Sequence, residues 1–262
     1  MFQGVLQKMM TEEANPVRYY LQLEGDFLLV NSLINHKIKI ELSHFQCLNC
    51  GKNEPIFRQG FCKKCFFEIP QAADWIMHPQ LSKAHLGIED RDLEYEKQMQ
   101  LQPHCVYLAN SSKVKVGVTR RSQIPTRWID QGAHEALIIA ELPNRYLAGI
   151  TEVALKEHIS DKTDWRKMLT NIIEDVDLQQ IRNQLFDFFP EETKKYFISD
   201  SKEINIHFPV EQYPTKVSSL NLLNTPIYNG VLKGIKAQYL IFEDNTVFNV
   251  RGSEGFYVKL SM

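Results

Sequence analysis

The 262-residue sequence has no apolar run that approaches the roughly 18 residues needed for a membrane-spanning helix. Its first twenty residues, MFQGVLQKMMTEEANPVRYY, also lack the uninterrupted apolar core of a signal peptide. We therefore expect no membrane partner and predict a cytoplasmic protein, in which the thiols stay reduced.

The sequence has little net charge, with 30 Lys and Arg residues against 32 Asp and Glu residues. A balance of −2 gives no whole-protein field toward nucleic acid or membrane, so any anion site must be local. The 44% hydrophobic and 24% charged contents are ordinary for a globular protein and exclude global disorder.

Cysteine is scarce, but four of the five cysteines fall in CLNCGKNEPIFRQGFCKKC. Two CxxC pairs eleven residues apart predict a structural Zn(II) site with ligands Cys47, Cys50, Cys62 and Cys65. Gly51 permits the turn of a zinc knuckle, and a turn at Gly60 leads into a predicted helix, so the module is treble-clef-like. Thioredoxin-type redox chemistry is the competing interpretation.

The order of patterns predicts an α+β protein with a zinc module and a central α/β domain between β-rich terminal segments. HKIKIEL near the start alternates with period two, and AQYLIFEDNTVFNVRGSEGFYVKL at the end resembles a strand meander. The predicted segments are a β-rich N-terminal segment (1–46), the zinc module (47–77), a connector (78–103), the central domain (104–190) and a β-rich C-terminal domain (191–262). Chain order leaves open whether the two β-rich segments pair.

The central domain has the predicted element order β-β-α-β-α. CVYLA and KVKVGVT form a hairpin around NSS, IPTRWIDQ is a short helix, EALIIAEL is a strand, and NRYLAGITEVALKEHI is a helix with Asn144 as its N-cap. DKTDWRKMLTNIIEDVDLQQIRNQLFDFF, which follows, is predicted to be mostly helical.

The hairpin is basic, since residues 113–127 contain five Lys and Arg residues and no acid. Alternation directs its valines to the core and places Tyr107 beside Gly117 on an exposed face, where the glycine would let a ligand approach. This local field suits phosphate, and we predict the nucleic-acid-binding residues Lys113, Arg120, Arg121 and Trp128, the last stacking on a base. The alternative is an ordinary solvated face.

The same module resembles the GIY-YIG nuclease superfamily. CVY (105–107) stands at the first motif, KVG (115–117) at the second, Arg127 at the helix arginine and Glu152 at the glutamate of the next helix. The wider chain, from about residue 4 to 170, is similar to the prokaryotic domain-of-unknown-function family 2797 in its CxxC pairs, VYLA, KVGVT, RWIDQGA and DKTDWRKML.

The nuclease resemblance implies divalent-metal-dependent hydrolysis of phosphodiester bonds in DNA or RNA. Glu152 would hold Mg(II) or Mn(II), and Arg127 would stabilise charge developing on the phosphate. Tyr107, its pKa lowered by Lys115 and the metal, would activate the attacking water. These four residues are expected to gather around one hollow. Lys115 stands where the family has a tyrosine, which favours binding over cutting.

Several alternatives stay open at this point. Asp130 or Glu135 could replace Glu152, and His134 or His158 could act as a general base. The residues His78, His85, His104 and Cys105 could form a second metal site, although their spacing fits no recognised pattern. Besides a nuclease, the sequence allows a non-catalytic nucleic-acid-binding protein or a zinc-stapled scaffold that binds another protein through its β-rich tail.

Overall fold

The computed structural model describes residues 1–159 and 164–262 and shows a mixed α+β protein rich in strands, as predicted. Its strands are β1 (Phe2–Val5), β2 (Met10–Glu12), β3 (Arg18–Leu23), β4 (Asp26–Leu29), β5 (Lys37–Phe45), β6 (Ile56–Arg58), β7 (Phe61–Cys62), β8 (His104–Asn110), β9 (Val114–Arg120), β10 (Glu135–Leu142), β11 (Ile204–Asn205), β12 (Ser218–Ser219), β13 (Ile227–Lys236), β14 (Tyr239–Phe242), β15 (Thr246–Asn249) and β16 (Phe256–Ser261). Its α-helices are α1 (Lys63–Glu68), α2 (Leu93–Gln100), α3 (Thr126–Asp130), α4 (Arg145–Lys156), α5 (Trp165–Leu169) and α6 (Leu178–Leu185).

The two ends of the chain share one sheet of seven strands, in the order β1-β16-β5-β13-β14-β15-β12. Strand β16 is central to this union because it pairs antiparallel with β1 on one side and with β5 on the other. The register places Leu260 opposite both Phe2 and Ile40. The question of pairing is thereby answered, while the segment boundaries given above stay predictions.

Period-two alternation explains how this sheet covers the core. In β5 the side chains of Ile38 and Ile40 are fully buried, whereas Lys37 is exposed. Burying an isoleucine side chain contributes roughly 1.5–3 kcal/mol, so each such pair fixes the register of its strand. The same core includes Tyr107 and Trp128 of the central domain, so the terminal sheet and the central domain pack against each other.

The central domain has the predicted element order, with β8, β9, α3, β10 and α4 following one another along the chain. Its antiparallel sheet has the order β11-β10-β8-β9, which makes β9 an edge strand. Val116 and Leu108 belong to the core that includes Ala148 and Leu155 of α4. Helix α4 begins at its predicted N-cap, since the Asn144 side chain accepts a hydrogen bond from Leu147 N at 2.9 Å.

The connector packs on α4 and on the zinc module. Short 3-10 turns occupy its first part, and α2 covers the helix predicted over DLEYEKQMQ. A turn at Pro79–Leu81 lies so close to α4 that a Cβ at Gly149 would stand 2.5 Å from Pro79 C. The DKTDWRKML motif begins at positions that lie outside the described residues. Its continuation forms α5, which Asp164 caps by accepting hydrogen bonds from Arg166 N and Lys167 N.

Candidate functional site

Four cysteine sulfurs meet where β5, the β6–β7 hairpin and α1 come together. The Sγ atoms of Cys47, Cys50, Cys62 and Cys65 all lie within 4.8 Å of one another, and Cys50 Sγ is 4.0 Å from Cys62 Sγ. Zinc–thiolate bonds of about 2.3 Å put tetrahedral sulfur ligands about 3.8 Å apart. The spacing therefore fits one tetrahedral ion.

Local turns bring these thiols together in the predicted way. Gly51 adopts φ of +69° and its N–H donates to Cys47 O at 2.9 Å, which closes the first CxxC turn. Gly60 adopts φ of +79° between β6 and β7, and α1 starts directly after Cys62. Positive φ angles favour glycine, so both turns depend on the residue types present.

Hydrogen-bond donors surround the sulfur atoms. Cys62 N donates to Cys47 Sγ, and Asn49 Nδ2 donates to Cys65 Sγ, each at 3.3 Å. Burial would raise the pKa of Cys47, but backbone N–H donors lower it to about 6. Thiolate is the form that binds metal, so this cluster could hold a structural ion such as zinc. Four protein ligands leave no open coordination position.

The alternative second metal site is wrong. Within residues 1–159 and 164–262, the cysteine cluster is the one group of three or more His, Cys, Asp or Glu side chains close enough to share an ion. His104 instead lies in the core with Nδ1 at 2.7 Å from Gln102 O, and His85 stacks on Tyr146.

Tyr107 is fully buried, not exposed as predicted. Strand register places it opposite Gly117, and an ideal Cβ at position 117 would stand 2.6 Å from the Tyr107 hydroxyl oxygen. The space predicted for a ligand is therefore filled by the phenol. The hydroxyl donates to Gln131 Oε1 at 3.1 Å, and Trp128 packs edge-on against the ring.

Burial raises the pKa of Tyr107, and Arg127 only partly opposes this. Desolvation outweighs the neighbouring positive charge, so the protein groups alone do not lower this pKa, and lowering by a bound metal stays a prediction. Tyr107 stays protonated at neutral pH and can act as a hydrogen-bond donor.

The charge of Arg127 acts on the other three predicted catalytic residues. Burial raises the pKa values of Tyr107 and Glu152, and the charge of Arg127 partly opposes both shifts. Burial, together with the charge of Arg127, lowers the pKa of Lys115 to about 8. Glu152 is itself buried and forms an ion pair with Lys156 at 3.4 Å.

The elements that carry these residues pack on different faces of the sheet. Tyr107 belongs to the core shared with α3, whereas α4, which carries Glu152, packs on the Val116 face. Phenol and carboxylate nevertheless interact, since the Glu152 charge contributes to the raised pKa of Tyr107. The charge of Arg127 thus reaches Tyr107, Lys115 and Glu152, and the gathering of the four side chains around one hollow stays a prediction.

The predicted nucleic-acid-binding residues differ in exposure. Lys113 pairs with Glu174 at 3.5 Å and Arg121 pairs with Glu141 at 3.3 Å, both at the surface. Arg120 is half-buried and donates to Met99 Sδ at 3.2 Å. Trp128 is fully buried in the core. Stacking on a base requires an exposed face of the indole, so the predicted stacking role of Trp128 is wrong.

The alternative acids and bases have structural partners. The Asp130 carboxylate accepts hydrogen bonds from Lys8 at 2.9 Å and Gln238 at 2.8 Å, and Glu135 accepts one from Asn110 at 2.8 Å. The ring of His134 lies 2.5 Å from the buried Lys236 ammonium, and His158 stacks on Phe188. Each of the four side chains therefore has a structural contact within the protein.

Two further arginines near Arg127 were not predicted. Arg145, the first residue of α4, and Arg251, which lies between β15 and β16, line the same cavity as Arg127. The position of Arg145 at the start of α4 could be read from the sequence, since it directly follows the predicted N-cap Asn144. No local signal could indicate Arg251, because its placement depends on the pairing of the terminal strands.

A family model for DUF2797, described as a protein of unknown function, matches residues 35–258. The chain belongs to that family, as its motifs predicted. No curated protein and no solved structure matches the chain. Among the described residues, no helix has the length and apolarity required to cross a membrane.

Proposed function

We propose that this chain is a nucleic-acid-binding protein in which the cysteine cluster holds a structural Zn(II) ion and the central domain contacts phosphate. The observation that carries the proposal is the position of Arg127, whose charge acts on Tyr107, Lys115 and Glu152. In the described residues Arg127 forms no ion pair with a carboxylate, so its charge is available to an anionic ligand.

Zinc is the metal that the donor set favours. Four thiolates close enough to share one ion are typical of Zn(II), and hard cations prefer oxygen ligands. The hydrogen bonds to Cys47 and Cys65 hold the sulfur atoms in place. The ion would fix the β6–β7 hairpin and α1 against the first CxxC turn, where the local core is small and depends on the cysteines themselves.

Surface cations on the hairpin extend the contact area. Lys113 and Arg121 form exposed pairs with carboxylates, and such pairs contribute at most about 1 kcal/mol. Phosphate can therefore displace these partners at small cost. Binding of this kind weakens steeply with salt, because it releases condensed counterions from the nucleic acid.

Hydrolysis of phosphodiester bonds is a second candidate function. It is favoured by one observation, the buried Glu152 carboxylate within electrostatic reach of Arg127 and Tyr107. This arrangement and the element order would make the central domain GIY-YIG-like. Glu152 would hold Mg(II) or Mn(II), Arg127 would stabilise the phosphate and Lys115 would contact it, whereas Tyr107 would reach the substrate only by giving up its hydrogen bond to Gln131.

Fluorescence anisotropy with labelled single- and double-stranded DNA and RNA tests the proposal, with Mg(II), Mn(II) or EDTA present. We expect binding that weakens with salt, and Arg127→Gln should reduce the salt slope by about 1. Arg166→Gln is the matched control, because it removes the same charge at an exposed side chain that packs on the Trp165 ring. Absence of binding in every arm would overturn the proposal and favour a scaffold.

The same samples, run on denaturing gels, test hydrolysis. Metal-dependent cleavage that is lost in Glu152→Gln and kept in Arg166→Gln would support a nuclease. Binding without cleavage under all metal conditions would leave the chain as a binding protein.

A further inference from the structure

A cavity of about 240 Å³ lies where β9, α3, α4 and the connector meet the turn before β16. Four arginines line it: Arg120, Arg127, Arg145 and Arg251. We call this space the arginine cavity. It lies beside Arg127 but is lined by neither Tyr107 nor Glu152.

The lining of the arginine cavity carries an excess of positive charge, and the carboxylates of Glu152 and Glu254 act on Arg145 and Arg251 from outside that lining. Asp130 is the one carboxylate among its lining residues, and it already accepts from Lys8 and Gln238. In the described ranges none of the four guanidiniums forms an ion pair. Clustered like charges in a partly buried space are unfavourable unless an anion joins them.

Arg145 shows this repulsion most directly. Burial, together with the charges of Arg127 and Arg120, lowers its pKa to about 10 against the opposing charge of Glu152. The side chain is held in place by hydrogen bonds from Nε to Trp75 O at 3.2 Å and from Nη2 to Ile76 O at 2.7 Å. A guanidinium has five N–H donors, so these bonds leave donors for a further acceptor.

Trp75 supplies a second, independent observation. It lines the arginine cavity and is almost fully buried, and its indole nitrogen Nε1 has no hydrogen-bond partner in the described residues. A buried donor without an acceptor costs about 1–3 kcal/mol, so such donors usually face a ligand or water. The indole ring itself forms part of the cavity wall, with the Arg145 guanidinium carbon 5.6 Å from its ring centroid.

We infer that the arginine cavity binds a phosphate monoester, which, if the proposed function holds, is the terminal phosphate of a nucleic-acid chain. A monoester carries a charge of about −1.5 to −2 at neutral pH, against −1 for an internal diester, and so matches several arginines better. The cavity is also smaller than the roughly 300–1,000 Å³ of common ligand pockets, so it suits a chain end and not a passing duplex.

Binding measurements on the full-length, zinc-loaded protein test this inference in two arms. The first arm titrates inorganic phosphate and a nucleoside monophosphate, with the unphosphorylated nucleoside as reference. The second arm compares single-stranded oligonucleotides of one sequence that carry a 5′-phosphate, a 3′-phosphate or hydroxyls at both ends. We expect one phosphorylated end to bind about tenfold more tightly than the hydroxyl end, as expected for charge-assisted hydrogen bonds.

Arg251→Gln and Arg120→Gln should each bring this preference close to onefold, because the loss of one charged hydrogen bond reduces affinity by about tenfold or more. Arg251 is exposed, so its variant is expected to fold, and Arg166→Gln again controls for net charge. Equal affinity for phosphorylated and unphosphorylated chains would overturn the inference and leave the proposed function standing. Phosphate binding without any oligonucleotide binding would support the cavity and overturn the proposed function instead.

Discussion

The phenol of Tyr107 lies across the position that a side chain at Gly117 would occupy. The two residues face each other in the β8–β9 register, and an ideal Cβ at 117 would stand 2.7 Å from Tyr107 Cζ. A glycine within a strand often marks a close approach of this kind. The approaching group is part of the protein itself, and it connects the edge strand to the core.

We predict that Gly117→Ala lowers the free energy of unfolding by about 1–3 kcal/mol, because the new methyl group overpacks the core against the Tyr107 ring. Urea denaturation followed by circular dichroism measures the change. The clash involves ring carbon as well as hydroxyl, so Tyr107→Phe should not relieve it. In a Tyr107→Leu background the cost of Gly117→Ala should fall, and strictly additive effects would contradict the proposed contact.

A second prediction concerns Gly149, where α4 meets the connector. Alanine is favoured over glycine within a helix by about 1 kcal/mol, so an open site would be stabilised by Gly149→Ala. Here the added Cβ would lie 2.5 Å from the backbone carbon of Pro79, and backbone cannot move aside easily. We therefore expect net destabilisation of about 1–3 kcal/mol, with faster hydrogen exchange in the connector.

Val153→Ala is the control for Gly149→Ala, since Val153 is exposed on the same helix and should tolerate alanine. Increased stability of Gly149→Ala would show that the connector does not press on α4 as closely as the structure indicates.

A third prediction is that the purified protein contains about one equivalent of zinc by elemental analysis. Cys62→Ser should lower zinc content and stability, because a serine hydroxyl is a poor ligand for this ion. Cys105→Ser is the matched control, since Cys105 is equally buried but lies outside the cluster, and it should keep the zinc. A well-folded, metal-free wild-type protein would contradict a structural zinc site.

Features that depend on nearby residues were predictable from the sequence. The cysteine spacing defines its own cluster, and alternation in β8 and β9 correctly separates Val116 from Gly117. The Asn144 cap and the glycine turns follow from the same local rules. The positions of these particular elements and of the cysteine cluster therefore needed no knowledge of distant contacts.

Burial on the second face of the central sheet could not be predicted in this way. Alternation states that Tyr107 and Val106 point to opposite faces, but the cover over Tyr107 comes from α3 and from the terminal strands. The arginine cavity likewise joins Arg120 to Arg251, which are distant in sequence and meet through the strand pairing of the terminal segments. Such long-range contacts depend on global packing, which periodicity does not encode.

The last prediction concerns acid stability through His104, whose side chain is fully buried. Burial lowers its pKa to about 4, and the positive charges of Arg145 and Arg120 contribute in the same direction. The unfolded chain, with a histidine pKa of about 6.5, binds the proton first, so folding stability is complete above that pH and is lost as the pH falls toward 4. The loss attributable to this group is roughly 3 kcal/mol.

His104→Asn keeps a donor near Nδ1 but cannot titrate, so its unfolding free energy should fall less between pH 6.5 and 4. Both proteins share the cysteine cluster, so acid release of zinc cancels in the comparison, and the exposed His36→Asn provides a control. Parallel pH profiles for His104→Asn and the wild type would show that His104 does not carry this dependence.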